Sequence, residues 1–514
     1  MQALTRRGLL VGIGAAGGAG AMYAAMGALG LAPSEQDKAY TPPQKSDFHL
    51  TGKGAAKVVI LGAGVAGLIA AYELGKAGYD CTLLEASDRA GGRNRTLRGG
   101  DRLAEMNGPT QEVRFGDGVY FNAGPGRIAQ WMVTLDYCRE LGVPIEPFIN
   151  NNAQAYVNTH GQTVRARAAR ADMYGYIAEL LAKATNAGRL DRRLTRDDRE
   201  RLLEFLRRFG DLGPKLDYEG STRRGFMKYP TTDGGTPVAP PGTLQQVLAA
   251  GTGRAITNDF GYDQATPMFQ PVGGMDAIVT RLKQAVGEDR IRTGVKVNKI
   301  TNLPDGVQVT WDGGEFKADY CIATLPPHVL ARVPHNLGAA VTSALRTPVP
   351  VAAGKIGLEY GRRWWELEDR IYGGITETDL DITHIWYPSY GFHSERGLIV
   401  GYYTSEKEAE LYGALTPEDR RRRALTQGRK IHGDKYGRDL QSSVSIAWDR
   451  QEHIQGGWVR WPAFDSSFTL LQRPSGRVYL AGDWLTHLIA WQAGAMESAR
   501  SAVTQLHQRV LQSA

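Results

Sequence analysis

One short stretch, from Lys57 to Glu85, constrains the fold of this chain more than any other. A short apolar run that suits a buried parallel strand leads into a G-x-G-x-x-G turn, and a helical pattern and a second apolar strand follow before the acid Glu85. In such a unit Gly62 permits the tight turn, Gly64 lets the backbone approach a pyrophosphate, and Gly67 lets the helix pack on the strand. Free N–H groups at the helix N-terminus favour phosphate, and Glu85 can accept hydrogen bonds from ribose hydroxyls. The stretch therefore predicts a Rossmann-like dinucleotide site in an α/β fold.

The residues after Glu85 indicate which dinucleotide is bound. They complete the pattern E-x5-G-G-R, which ends at Gly92 and Arg93 and which an NAD enzyme does not need. This segment resembles the motif of the flavin-containing amine oxidase family, and the resemblance covers most of the chain from Lys57 onward and is closest to the L-amino-acid oxidases. It implies FAD as the cofactor. The residues expected at FAD are Gly62, Gly64, Ala66, Gly67, Glu85, Ala86, Gly92, Arg93, Gly124, Val297, Trp448, Gly482, Asp483 and Trp491.

A second resemblance concerns the substrate carboxylate. The run from Asn122 to Arg127, followed by a helical pattern over 128–141, is similar to the G-P-x-R pattern of L-amino-acid oxidases, whose arginine binds this carboxylate. A planar guanidinium suits that task because it makes two parallel charge-assisted hydrogen bonds. Tyr387, which precedes Pro388 in an aromatic cluster, matches a tyrosine that adds a hydroxyl to the clamp. The alternatives are a surface arginine that caps a loop and an aromatic residue of the core.

Two residues match catalytic positions of the family. Lys355 begins an apolar strand, where a buried ammonium is costly, and the family's lysine binds a water near flavin N5. Its alternative is a lysine that snorkels to the surface. Trp491 takes the place of the aromatic wall beside the flavin, and the carbonyl of Ala490 would accept a hydrogen bond from the substrate amine. The helix that follows would place its positive dipole end at the flavin N1–O2 edge.

The attachment of the flavin follows from one absence in the sequence. Monoamine oxidases carry a cysteine that bonds the flavin covalently, whereas this chain has Trp458 there and no cysteine after Cys321. We therefore expect FAD to be held without a covalent bond.

The resemblance implies oxidative deamination of L-amino acids, and the aromatic-rich segments favour large apolar or aromatic side chains. Arg127 and Tyr387 would hold the carboxylate, while Trp491 and the carbonyl of Ala490 hold the neutral amine, so that a hydride passes from Cα to flavin N5. The products would be a 2-oxo acid, ammonia and hydrogen peroxide. Three alternatives stay open: an amino-acid 2-monooxygenase that gives an amide, an amine oxidase without carboxylate recognition, and a flavin-binding protein without turnover, against which Lys355 and Trp491 argue.

The length of 514 residues allows two or three domains. We expect a discontinuous FAD-binding domain, a mixed-sheet substrate-binding domain and a mostly helical insertion. The FAD-binding domain is assigned to 55–120, 268–345 and 445–514, the substrate-binding domain to 121–164, 256–267 and 346–444, and the insertion to 165–255. Within the insertion, Thr195 to Asp198 resembles a capping box that opens a helix.

The N-terminal residues resemble an export signal. In 1–32 the pair Arg6-Arg7 precedes a Gly- and Ala-rich run without charge, as in twin-arginine signals, whose cargo crosses the membrane already folded. Residues 33–54, with three prolines, read as a linker. We expect an exported protein, periplasmic or extracellular; a single membrane anchor is the alternative, which the glycines weaken. Activity confined to the cytoplasm of the source cell would contradict this expectation.

Composition excludes other classes of function. The net charge of +7 is small for the length, and the arginine-rich stretch Arg165 to Arg208 also carries acids, which is typical of solvated helices and not of a nucleic-acid surface. No CxxC or Cys/His cluster indicates a metal, and Cys81 and Cys321 lie in apolar runs typical of a core. The partners expected are a small-molecule substrate and dioxygen, with no nucleic acid. Membrane contact is expected only through the N-terminal segment if it is not removed, and a homodimer is left open.

Overall fold

The structure is a computed structural model that describes residues 56–190, 193–239, 242–253, 257 and 260–513. Short strands make up several sheets. The strands are β1 (Lys57–Leu61), β2 (Asp80–Leu84), β3 (Thr96–Arg98), β4 (Arg102–Leu103), β5 (Gln111–Glu112), β6 (Tyr120–Asn122), β7 (Ile145–Ile149), β8 (Tyr156–Thr159), β9 (Gln162–Arg165), β10 (Phe226–Lys228), β11 (Thr236–Pro237), β12 (Pro267–Pro271), β13 (Ile291–Arg292), β14 (Val297–Asn302), β15 (Val307–Trp311), β16 (Gly314–Ala318), β17 (Tyr320–Ala323), β18 (Val349–Val351), β19 (Ala353–Tyr360), β20 (Ile375–Thr378), β21 (His384–Trp386), β22 (Gly397–Ser405), β23 (Leu440–Ala447), β24 (Trp458–Arg460) and β25 (Val478–Leu480).

Helices connect and cover these strands. They are α1 (Val65–Lys76), α2 (Thr134–Glu140), α3 (Ala166–Asn186), α4 (Arg196–Gly210), α5 (Leu244–Ala249), α6 (Ala277–Val286), α7 (Pro327–Leu330), α8 (Ala339–Ala344), α9 (Trp364–Leu367), α10 (Glu406–Gly413), α11 (Pro417–His432), α12 (Ser466–Leu471) and α13 (Gln492–Ser513).

A parallel sheet forms the dinucleotide half of the molecule. Its five strands run in the order β13-β2-β1-β17-β25, and every neighbouring pair is parallel. Strand β1 is buried from Val58 to Leu61, because helices α1 and α13 and a second apolar cluster cover the sheet. Segments far apart in sequence thus share one sheet, and the α/β prediction is confirmed.

A mixed sheet forms the other half. Its seven strands run in the order β23-β19-β22-β21-β20-β8-β9, with β20 and β8 parallel and the other pairs antiparallel. Central strand β19 is buried along its whole length. One face of the sheet looks toward the dinucleotide half, and the other packs in an apolar cluster with α9, α10 and α11.

The stretch 165–255 contains helices α3, α4 and α5 and the small hairpin β10–β11 among its described residues. The predicted capping box is confirmed: the Thr195 hydroxyl accepts from the Asp198 N–H, and the Asp198 carboxylate accepts from the Thr195 N–H. Leu203 and Leu206 of α4 are buried against α3. This contact gives the insertion an apolar core of its own.

Two predicted elements differ from the structure. The stretch from Ile291 to Ile300, whose apolar pattern in the sequence predicts one strand, is divided into β13 and β14, which belong to different sheets, because Gly294 adopts a left-handed φ of 72° between them. The helical pattern over 128–141 yields a helix only from Thr134. Before that helix the backbone of Ile128 exchanges two hydrogen bonds with Phe269 of β12, at 2.7 and 2.9 Å, and this pairing replaces helix with extended chain.

The predicted export segment and linker, 1–54, lie outside the described residues. Within the described part of the chain, no helix is both long enough and apolar enough to cross a membrane.

Candidate active site

A cavity of about 1480 Å³ runs between the two halves. It exceeds the usual volume of a site for one small ligand, roughly 300–1,000 Å³, and so has room for a long cofactor and a substrate together. Most of the residues predicted from the sequence line it. The lining includes Gly62, Gly64, Ala66, Glu85, Ala86, Gly92, Arg93, Gly124, Arg127, Val297, Lys355, Trp448, Gly482, Asp483, Ala490 and Trp491, whereas Gly67 and Tyr387 do not line it.

The glycine turn forms one end of this cavity. A Cβ on Gly67 would lie 2.0 Å from the Gly62 carbonyl oxygen, so Gly67 acts by packing α1 on β1. A Cβ on Gly64 would meet nothing within 4 Å, because open space lies above the turn. No side chain caps the N-terminus of α1. Open space above uncapped N–H groups and a positive helix end suits a pyrophosphate.

Glu85 stabilises this turn through hydrogen bonds. Its carboxylate accepts from the backbone N–H of Ala63 at 2.7 Å and from the N–H and hydroxyl of Ser87 at 2.9 and 2.7 Å. A carboxylate has about four acceptor positions, so it keeps capacity for a ribose hydroxyl. The acid therefore holds the loop in place where the resemblance implies a cofactor contact.

Asp483 links three segments at the middle of the cavity. Its carboxylate forms a two-pronged ion pair with Arg93 and also accepts from the N–H of Ala490 at 3.0 Å. Arg93 donates in addition to the carbonyl of Gly457 at 2.8 Å. Asp483 is 3% exposed, so its charge is compensated almost entirely by these partners. This cluster fixes the backbone that leads into Trp491.

These groups fit a flavin dinucleotide. The turn and α1 offer a phosphate cradle, and Glu85, the Arg93–Asp483 pair and the rings of Trp448 and Trp491 line the same cavity. The Trp448 indole N–H donates to the carbonyl of Ala123 at 3.0 Å, which fixes its ring in the wall. A flavin bound here would reach from the phosphate cradle to Lys355.

Lys355 projects from strand β19 into the aromatic end of the cavity. Its ammonium donates to the carbonyl of Gly124, with the carbonyl of Asn122 at 3.4 Å. It lies 4.6 Å from the centre of the Tyr403 ring and 5.1 Å from that of Trp386. Burial, and then the charge of Arg127, lower the pKa of Lys355 to about 7. The lysine does not snorkel to the surface.

Arg127 lies beside it. The pairing of Ile128 with Phe269 fixes the backbone next to this arginine, and the guanidinium carbon lies 4.6 Å from the centre of the Trp386 ring. Burial lowers the pKa of Arg127, against a smaller raising effect of Tyr403, Glu377 and Asp263. Its Nη1 is buried and, within the described residues, has no hydrogen-bond partner. A buried cation with a free donor is an environment that favours an anionic ligand.

The structure places Tyr387 away from the cavity, in disagreement with its predicted role. Its hydroxyl lies 2.9 Å from Thr376 Oγ1 and 2.7 Å from His432 Nε2, behind the seven-stranded sheet. Successive side chains along an extended chain point to opposite faces, so the cavity-facing neighbour is Trp386. The residue of this motif that lines the cavity is therefore Trp386, one position before the predicted Tyr387.

Among the cavity residues that the sequence did not predict are three that lie close to Arg127, Lys355 or Trp491: Trp386, Tyr403 and Asp263. Strand alternation could have found Tyr403, since it pairs with Lys355 across β19 and β22 and shares its face. The Tyr403 hydroxyl has no hydrogen-bond partner among the described residues. Asp263 accepts from the Trp491 indole N–H at 3.2 Å, and it lies in a loop for which no pattern gave a signal.

The comparisons with known proteins agree with this site. The model of the family described as flavin containing amine oxidoreductase matches residues 65–507. The chain belongs to this family. Its members contain a flavin, and the protein is a flavin-dependent oxidoreductase with a small-molecule substrate and dioxygen as partners.

Curated relatives in the family share about a quarter of their residues with this chain. The putative L-amino-acid oxidase YobN of Bacillus subtilis (strain 168) is 26% identical over 464 residues, which cover 86% of this chain and 92% of the relative. The L-amino-acid oxidase of Bothrops pauloensis is 26% identical over 472 residues, which cover 88% of this chain and 89% of the relative.

Solved structures share the fold. Cyclohexylamine oxidase from Brevibacterium oxydans IH-35A superposes with a TM-score of 0.61 at 18% identity, over 88% of this chain and 99% of the other. Putrescine oxidase bound to putrescine gives the same TM-score, identity and coverage. At these identities the likeness concerns the fold alone.

Proposed function

We propose that this protein is an FAD-dependent L-amino-acid oxidase that converts an L-amino acid to a 2-oxo acid, ammonia and hydrogen peroxide. One observation carries the proposal: the guanidinium of Arg127 stands in the cavity with its buried Nη1 unpartnered among the described residues. An amine without a carboxylate would leave that donor unpaired, at a cost of roughly 1–3 kcal/mol or more for a charged group. The relatives named as L-amino-acid oxidases support the same substrate class.

The carboxylate would be bound by Arg127 and Tyr403. Tyr403 would take the role that the sequence assigned to Tyr387, because it lines the cavity and because its ring and the Arg127 guanidinium lie 5.2 and 4.6 Å from the centre of the same Trp386 ring. Arg127 supplies two parallel donors and Tyr403 supplies a third. The carboxylate is held in both the ground state and the transition state, so this clamp contributes chiefly to KM.

The amine would be held at the opposite wall. Ala490 has a left-handed φ of 70°, stabilised by the bond of its N–H to Asp483, and the carbonyl after this unusual turn would accept from the neutral amine. The Trp491 ring bounds the same space, and its indole N–H is fixed by Asp263. Contacts at the substrate carboxylate and at its amine would fix the orientation of the Cα–H, which lowers the entropic cost of reaching the transition state.

A flavin held here would supply the redox chemistry, as acceptor of the α-hydrogen with its two electrons and as donor of those two electrons, together with two protons, one of them from the substrate nitrogen by way of solvent, to dioxygen as hydrogen peroxide. The imino acid that remains takes up water and releases ammonia. A substrate amine that enters deprotonated needs no separate base. The side chain of Lys355 would be protonated below about pH 7 and neutral above it, since its pKa is about 7. Its charge at the reacting end would therefore depend on pH.

The cavity would accept large side chains that present an apolar stem or an aromatic ring to its walls. Trp386, Tyr403 and Trp491 provide flat apolar surfaces in it. The flavin is expected to be FAD, held without a covalent bond.

Replacement of Arg127 by alanine tests the substrate class. A desolvated charge pair is worth about 2–5 kcal/mol on truncation, so kcat/KM for an L-amino acid should fall about 30- to several-thousand-fold. The decarboxylated amine of the same side chain should lose far less or gain. The quantity to measure is the ratio of kcat/KM for the amino acid to that for the amine, in wild type, in Arg127→Ala and in the surface control Arg346→Ala.

A ratio that changes by less than about threefold in Arg127→Ala, a difference below roughly 0.7 kcal/mol, would show that Arg127 does not recognise the carboxylate. Product analysis in the same assay separates the oxidase from its rival. Formation of the 2-oxo acid with hydrogen peroxide supports the proposal, and an amide with carbon dioxide would identify a monooxygenase.

A further inference from the structure

The side-chain end of the cavity carries one acid that the proposed reaction does not use. Asp263 and Gln264 line the cavity in a loop that joins the helical insertion to β12. The Trp131 ring stacks on Tyr262 at 5.0 Å, and its indole N–H donates to the Tyr262 carbonyl at 3.1 Å. These contacts hold the loop over the site, so the position of Asp263 is fixed by its neighbours.

The carboxylate of Asp263 is only partly satisfied. One oxygen accepts from the Trp491 indole N–H at 3.2 Å. Among the residues that the structure describes, no lysine, arginine or histidine lies within ion-pair distance of it. From a longer distance the charge of Asp263 raises the pKa of Arg127. The other acid near Arg127, Glu377, already pairs with His384 at 3.0 Å. Asp263 is therefore the acid at this end whose charge is left to the occupant of the cavity.

The charge balance of the filled site points to a particular occupant. The substrate carboxylate neutralises Arg127, and the neutral amine carries no charge to Asp263. An apolar side chain pressed against Asp263 would strip water from an uncompensated carboxylate, which is costly. A side chain with an aliphatic stem and a terminal cation would lay its stem on the Trp491 ring and bring its charge to the acid.

We propose that Asp263 selects L-amino acids with a cationic side chain, a primary ammonium or a guanidinium at the end of an aliphatic stem. The inference rests on the proposed function and narrows its substrate class. Asp263 contacts the side-chain cation directly, whereas Arg127 binds the α-carboxylate. The Trp491 ring, which is bonded to Asp263, supports the aliphatic stem.

L-Lysine and L-norleucine test this assignment because they share a carbon skeleton and differ by one ammonium group. Wild type should use lysine with a kcat/KM at least about tenfold above that for norleucine. Nε-acetyl-lysine, which keeps the length and loses the charge, should lose that advantage. This comparison requires no variant, so it stands even if a substitution at the loop harms folding.

Asp263→Asn keeps an acceptor for the Trp491 indole and removes the charge. The ratio of kcat/KM for lysine to that for norleucine should fall at least about tenfold, chiefly through KM for lysine. The exposed control Asp305→Asn should leave the ratio at its wild-type value. A wild type that prefers norleucine, or an Asp263→Asn variant that lowers both substrates equally, would overturn the assignment while leaving the oxidase intact. A wild type that oxidises other L-amino acids but neither of these two would also overturn the assignment, and a wild type that oxidises no L-amino acid would instead overturn the proposed function.

Discussion

Lys355 brings an ammonium group into the aromatic end of the cavity, and the surroundings set its protonation. The side chain is 4% exposed, and burial together with Arg127 lowers its pKa from 10.5 to about 7. Between these two values the unfolded chain binds a proton that the folded chain lacks. The folded protein therefore gains stability as the pH rises from about 7 to 10.5, and the full cost of burying the charge is present below pH 7.

Lys355→Met should remove this cost. As the pH is lowered from 10.5 to about 7, wild type should lose stability relative to the variant. The change in the difference between their unfolding free energies should be on the order of a few kcal/mol. Thermal unfolding of both proteins across this range measures it, with the exposed Lys299→Met as control. A difference that stays constant with pH would contradict the assigned pKa.

The same variant reports on catalysis. A positive charge beside the reacting end helps electrons pass to dioxygen, so Lys355→Met should slow reoxidation of the reduced enzyme more than its reduction by substrate. Stopped-flow traces separate the two steps. Equal rates of reoxidation in variant and wild type would remove Lys355 from this role.

The sequence could predict a site residue where its neighbours along the chain form a recognisable motif. Arg127 and Lys355 lie in segments with a recognisable pattern, and the structure brings both into the cavity. Asp263 could not be found, because it follows from the way a loop closes over the site and from a single contact with Trp491. A local motif indicates where a residue lies on its own helix or strand. It does not indicate which loop, distant in sequence, will contact that residue in the fold.

At the scale of elements, the seven-stranded sheet separates two chemical environments. Lys355, Tyr403 and Trp386 point into the cavity from β19, β22 and β21, while Tyr387 points into the opposite cluster. The alternation of extended chain dictates this division once the register is known. The sequence indicated strands here, but the pairing of Lys355 with Tyr403 depends on contacts about fifty residues apart. For this reason the face of Tyr387 could not be predicted.

Two matched tyrosine variants test which face holds the substrate. Tyr403→Phe removes a hydroxyl from a charged ligand, so kcat/KM for an L-amino acid should fall about 10- to 100-fold without loss of stability. Tyr387→Phe should keep near wild-type kinetics but lose about 1–3 kcal/mol of stability, since Thr376 and His432 lose a buried partner. Steady-state kinetics and chemical unfolding of both variants measure the pair. A kinetic loss in Tyr387→Phe but not in Tyr403→Phe would reverse the assignment.

The whole molecule joins distant segments around the flavin. The parallel sheet takes strands from both ends of the described chain, and Asp483 near the C-terminus holds Arg93 near the start. The motifs predicted the α/β class, and most of the residues they assigned to the cofactor line the cavity, because each motif acts locally. They could not give the order β13-β2-β1-β17-β25, in which every neighbouring pair except β2–β1 is more than about 150 residues apart in sequence.

The flavin should leave this molecule when the fold is lost. All three cysteines of the chain are buried, none lines the cavity, and Trp458 lines the wall where a cysteine would be needed. Protein precipitated by heat or acid should therefore release FAD into a yellow supernatant, identified by chromatography and absorbance. Flavin that stays with the pellet would indicate a covalent bond.

The link between Arg93 and Asp483 has a consequence for biosynthesis. A nascent chain on the ribosome possesses the glycine turn early, yet it lacks Asp483, β25 and α13 until roughly four hundred further residues have been added. We therefore expect tight binding of the cofactor only after Asp483 has been made, and a chain truncated before Asp483 should be colourless however well its first half folds.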